Sequence, residues 1–141
     1  MLTLADANRL IEAAFAKAAE LGLKPLTVAV LDTTGSLLAL QRQAPLGGAL
    51  ARPDIAIGKA KAVLALGMPS SRRVAQTAAE RPAFVQGVQS VYGGFVPVPG
   101  ALAITKNGTL IGAVGISGDT SDNDEVAALA GVAAAGFKAE A

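Results

Sequence analysis

The 141-residue chain has no cysteine, no histidine and no tryptophan. Without cysteine there is no thiolate nucleophile, thiolate metal site or disulfide. Without histidine the commonest general base, the commonest metal ligand and the usual proximal haem ligand are missing together. Chemistry in this chain must use carboxylates, lysines, arginines, hydroxyls, Tyr92 or the backbone. Aromatic side chains are scarce, with one tyrosine and four phenylalanines. An excess of either charge is lacking too, because 12 basic and 11 acidic residues leave a formal net charge of +1. No basic field tracks phosphates and few rings could stack on bases, so no nucleic-acid partner is expected. No apolar run approaches the roughly 20 residues of a membrane helix, so no membrane partner is expected. The opening MLTLADANRL carries Asp6 early and has no basic region ahead of an apolar core. It does not read as a signal peptide, and a cytoplasmic protein is expected. A G-x-S-x-G elbow, a strand-borne G-x-G-x-x-G and a phosphate loop are all missing.

What is present suits one compact domain over residues 1–141. A chain of this size buries roughly 70% of its unfolded surface and needs no covalent staple. Leu10, Ala14, Ala18 and Leu21 recur at helical spacing, which predicts a helix over Leu4–Leu21 with Thr3 as N-cap and Gly22 as stop. Leu26–Leu31 and Ser36–Arg42 flank the turn Asp32–Gly35 and predict an antiparallel hairpin. A glycine-containing loop over Gln43–Arg52 leads to a helix over Pro53–Leu66. A shorter helix is expected over Ser71–Glu80, capped by Ser70 or Ser71. One helical turn is expected around Phe84–Val88 before the Gly93–Gly94 break. Asn107-Gly108 joins strands Ala101–Lys106 and Thr109–Ser117 in a second hairpin. A closing helix is expected over Asp122–Phe137, with Asp122 and Glu125 at capping-box spacing. The order predicts an α+β domain around an antiparallel sheet of about five strands. The fifth would be an edge strand near Phe95–Val98, given Pro97 and Pro99.

The most informative stretch is Leu110–Glu125, LIGAVGISGDTSDNDE, in which a glycine-dotted apolar strand runs into an acidic turn. Its carboxylates could stabilise a helix start, each cap contributing about 0.5–2 kcal/mol. Alternatively, Gly118, Asp119 and Thr120 could line a ligand site at that helix N-terminus. The recurring Gly112, Gly115 and Gly118 predict a close backbone approach on this strand.

Four blocks occur in order: Asp32-x-x-Gly35 with Arg42, PDIAIGKA at Pro53–Ala60, GGFVPVPGALAI at Gly93–Ile104, and IGAVGISGDTSDNDE at Ile111–Glu125. Together they resemble the GlcG/HbpS family of haem-binding proteins over nearly the whole chain. The resemblance implies a profilin-like α/β/α sandwich with a five-stranded antiparallel sheet. It also implies homo-oligomers, and functions ranging from haem binding and haem degradation to a role in glycolate utilisation. With no histidine, an iron ligand would have to come from Tyr92, Met68, Lys59 or Lys61, or a hydroxyl such as Thr105 or Thr120.

The resemblance therefore implies a small oligomeric binding protein of the GlcG/HbpS type for haem or another carboxylate-bearing molecule, and the residues place its candidate site between a sheet edge and the Gly118–Asp124 turn. Arg42 is the candidate carboxylate fork, grouped with Asp54, Lys59 and Lys61. Tyr92 and Phe95 are the candidate aromatic wall. The rival is a cofactor-independent enzyme for a small hydroxy or keto acid, with Asp119 or Asp124 moving the proton. Ser71-Arg72-Arg73 reads as a capped, exposed helix start.

Overall fold

The computed structural model describes residues 1–46 and 48–141. The loop expected over Gln43–Arg52 includes Gly47, which lies outside the described residues. Among the described residues, five helices and four strands follow the order α1 (Leu4–Leu21), β1 (Thr27–Leu31), β2 (Leu37–Arg42), α2 (Arg52–Leu66), α3 (Ser71–Glu80), α4 (Pro82–Tyr92), β3 (Ala101–Lys106), β4 (Thr109–Ser117) and α5 (Ser121–Ala134). The strands form one antiparallel sheet in the order β2-β1-β4-β3. Among the described residues no helix is long and apolar enough to cross a membrane.

Strand alternation sorts side chains by size between the two faces. Val28, Val30, Leu102, Ile104, Val114 and Ile116 form a core with Leu10, Ile11 and Ala14 of α1 and Ala128 and Val132 of α5. The opposite face presents Ala101, Ala103 and Ala113, with Leu31 of β1 as its one large side chain in this cluster, to Ala60 and Val63 of α2. The small side chains let α2 lie close to the sheet. At Gly115, a Cβ would sit 2.0 Å from the Ala56 carbonyl oxygen. Gly115 is thus the position where the expected close approach is tightest.

The turns follow their chemistry. The Asp32 carboxylate accepts from the Thr34 amide at 2.8 Å and the Ser36 amide at 3.2 Å. Asn107 and Gly108 both take positive φ, 52° and 77°, as a two-residue hairpin loop requires. Thr3 and Asp6 complete a capping box on α1.

Three expectations are corrected. The sheet has four strands, not five. Phe95–Val98 does not join it, because the Val96 amide donates to the Gly58 carbonyl of α2 at 3.0 Å and the flanking prolines offer no N–H. The outer edge of β3 is already occupied: the Ser71 hydroxyl, the Pro69 carbonyl and the Lys138 carbonyl accept from the amides of Ala101, Ala103 and Thr105. α4 is a full helix, not a single turn, because Pro82 suits its first position and no proline interrupts it. α5 ends at Ala134, three residues earlier than expected, where Gly136 turns the chain at φ 87° and the Phe137 amide closes on the Val132 carbonyl.

Gly115→Ala should cost about 1–3 kcal/mol or more, since backbone must move to admit the methyl. Gly87→Ala, inside α4 with nothing within 4 Å of the new Cβ, should instead stabilise by about 0.5–1 kcal/mol. Urea denaturation of the two variants measures both, and equal effects would contradict the packing described.

Candidate functional site

The acidic turn is a lock built from five carboxylate and hydroxyl side chains. Thr120, not Asp122, is the N-cap of α5, accepting from the Asn123 amide at 3.2 Å. Asp122 and Glu125 reach out to Arg72 of α3 instead. Arg72 Nε donates to both Glu125 oxygens at 3.1 Å, while its Nη2 donates to Asp122. Arg72 is therefore the cation that ties α3 to α5, not a bystander on an exposed helix start. The hydrogen bonds it donates to both acids hold its guanidinium above its ordinary pKa, with Asp122 the larger influence.

Asp119 accepts from the Lys24 amide at 2.8 Å, the Thr120 amide at 2.8 Å and Asn123 Nδ2 at 2.7 Å. The Asn123 bond, then the Lys24 amide, hold its carboxyl below the ordinary 3.8. Gly118 is buried against Pro25 and Leu26; a Cβ there would lie 2.3 Å from the Pro25 carbonyl oxygen.

Asp124 is 1% exposed and Lys59 is 3% exposed. Lys59 Nζ donates to Asp124 at 3.1 Å and to the Ile116 carbonyl at 2.9 Å. Asp124 also accepts the Asp119 amide at 2.9 Å. Burial pushes the carboxyl up and the ammonium down, and each partner's charge opposes that push on the other. Arg52, at the start of α2, donates to the Ser117 hydroxyl at 3.3 Å beside this pair.

The hollow lies elsewhere. A cavity of about 600 Å³ opens between the end of α2 and the outer edge of β3. Val63, Leu64 and Met68 form one wall, Ala103, Thr105 and Leu110 the floor, and Lys138 to Glu140 the far side. The far wall stands because the Thr105 and Lys138 backbones exchange two hydrogen bonds, of 2.9 and 3.0 Å. Its volume falls in the usual 300–1,000 Å³ range of ligand pockets.

The predicted site residues do not gather at one place. Lys59 and Asp124 meet, and Asp119 joins them through its amide. Arg42 is exposed on β2, and among the described residues its guanidinium donates only to the neighbouring Gln43 carbonyl, at 3.4 Å. Tyr92 and Phe95 do form an edge-to-face pair, with ring centroids 6.4 Å apart. Phe95 is buried against Val74 and Val85, while Tyr92 is exposed. None of these six residues lines the hollow, and neither do Gly118 and Thr120, whereas Met68 and Thr105, named as iron-ligand candidates, both do. Sequence reading missed Leu110 and Lys138. Leu110 had a weak signal, as an apolar residue two positions after the hairpin turn, where burial is least expected.

The family model described as haem degrading protein HbpS-like matches residues 2–133. The chain belongs to the HbpS-like family. This is the family its four sequence blocks resemble. Among solved structures, the PduOC:heme complex is 25% identical, with TM-score 0.83 and 99% of each chain covered. A Klebsiella pneumoniae protein, ORFY, is 26% identical, with TM-score 0.81 and coverage of 95% of this chain and 90% of that one. A doubly substituted HbpS from Streptomyces reticuli is 28% identical, with TM-score 0.79 and coverage of 94% and 85%. No curated protein matches the chain significantly in sequence. Among the described residues of this HbpS-like chain, no three acidic side chains cluster to hold a metal ion.

Removing one member of the buried pair, as in Asp124→Asn, should cost about 3–5 kcal/mol by stranding the Lys59 charge. Replacing both at once with apolar residues should recover most of that loss, as chemical denaturation would show. Asp119 adds a pH dependence. Its folded pKa lies below its unfolded 3.8, so the unfolded chain takes up the proton first as pH falls. Its contribution is present above 3.8 and lost as pH falls through the folded value. Asp119→Asn should flatten the acid limb of stability below about pH 4, and an unchanged limb would contradict this.

Proposed function

We propose that this chain is a homo-oligomeric binding protein for haem or a closely related carboxylate-bearing tetrapyrrole, held in the β3 hollow. The observation that carries the reading is the chemistry of that hollow: an apolar wall and floor, with the Lys138 ammonium at the rim and the Glu140 carboxylate two residues beyond it. Val63, Leu64, Ala103 and Leu110 suit a flat apolar ring. The Lys138 ammonium makes no ion pair among the described residues and can meet a carboxylate. The donor set therefore fits the group that the family implies. When bound, haem supplies a redox-active iron and acidic tails. The chain supplies the apolar cradle, the cationic rim and the exclusion of water from one face. The HbpS-like membership and the haem carried by PduOC support the choice of ligand.

Self-association is supported by α4. Phe84, Val91 and Tyr92 are exposed there, and no charged residue occurs from Pro82 to Thr105. The Arg81 guanidinium lies over the Phe84 ring, 4.3 Å from its centroid, at the edge of this face, and an exposed apolar face of this kind can meet its own copy across a two-fold axis. No observation favours catalysis by Asp119 or Asp124, since both hold protein partners and neither lines the hollow.

Haemin titration should give saturable binding with a shifted Soret band. Leu110→Glu, on a surface where substitutions change stability by about 0.5 kcal/mol or less, should abolish it. Lys138→Glu should weaken it a few-fold, because a rim ion pair contributes only about 0.2–1 kcal/mol. Normal haemin affinity in Leu110→Glu would remove the hollow from consideration. Light scattering should give a mass above the 14.0 kDa of one chain, reduced by Val91→Lys.

A further inference from the structure

We propose that the Met68 thioether is this chain's soft donor to the iron of a tetrapyrrole in the β3 hollow. The proposal rests on the binding reading above and adds a residue and a redox preference to it. It follows from where the structure puts each donor. Lys59 is buried and bonded to Asp124 and the Ile116 carbonyl. Thr120 is the α5 cap. Tyr92 and Lys61 do not line the hollow. The Thr105 hydroxyl donates to the Lys138 carbonyl at 3.3 Å.

Met68 is different. Its backbone is pinned at the end of α2, where Gly67 turns at φ 61° and the Met68 amide donates to the Val63 carbonyl at 3.1 Å. The side chain is half-buried between the hollow, which it lines, and the apolar cluster of Ala62, Val74, Val85 and Phe95. Thr77 Oγ1 lies 3.7 Å from its sulfur. That hydroxyl has one proton, and the Arg73 carbonyl at 3.1 Å is the better acceptor for it. The contact locates the sulfur beside α3 and occupies at most one of its two lone pairs, leaving one for a metal. A neutral thioether is a soft donor and favours the reduced metal. Methionine ligation raises the potential of haem iron.

The test is haemin titration of the full chain, compared with Met68→Leu, which conserves volume, and Met68→Gln, which replaces sulfur by a harder amide. The readouts are the near-infrared sulfur-to-iron charge-transfer band of the ferric form and the reduction potential. The expected result, read at haemin concentrations that saturate each protein, is a band in the wild-type complex, its loss in both variants, and a lower potential in both. Identical spectra and potentials in all three complexes would overturn sulfur ligation while leaving the binding function standing. Failure of the folded wild-type chain to bind haemin would overturn both.

Discussion

The close seat of α2 on the sheet is the contact on which the rest of the structure depends. Gly115 leaves no room for even a methyl between β4 and the Ala56 carbonyl. That closeness brings Lys59, one turn further along α2, within reach of the Ile116 carbonyl and Asp124. The same helix then delivers Val63, Leu64 and Met68 to the wall of the hollow. A residue larger than glycine on β4 would lift α2 and disturb the buried ion pair and the cavity together.

The carboxylates of the turn are divided among separate tasks by geometry. Asp119 ties the chain before β1 to the start of α5, Asp124 neutralises a buried lysine, and Asp122 and Glu125 grip Arg72. A helix dipole favours negative charge at this end, but here the side chains mostly answer to specific partners. The buried pair is held at a large desolvation cost, so its value lies in fixing where α2 and α5 meet. Burial of both groups, together with Gly118 packed on Pro25 and Leu26, fills the space that a ligand beside the turn would need.

The two sheet edges are treated differently. β3 is clipped at one end by Pro69 and Ser71 and at the other by Lys138. A sheet edge with unpaired amides invites pairing with another chain, and these clips close it. The gap between the clips becomes the hollow, so its walls come from segments far apart in sequence.

Local structure was legible in the sequence because its causes are local. The α1 capping box, the Asp32 turn, the Asn107-Gly108 hairpin and the Gly67 stop each depend on residues within a few positions of one another. Family membership was legible for a similar reason, since four short blocks keep their order. The glycines of β4 announced a close approach but not what would approach. Only the folded chain decided that Asp122 and Glu125 would bind Arg72 about fifty residues away, and that Lys59 would meet Asp124. It also decided that Phe95–Val98 would dock on α2, and that Met68, Thr105, Leu110 and Lys138 would enclose one space. Those outcomes depend on helix seating and edge pairing, in which angstrom-scale distances between distant segments select the partner and no local pattern records the choice.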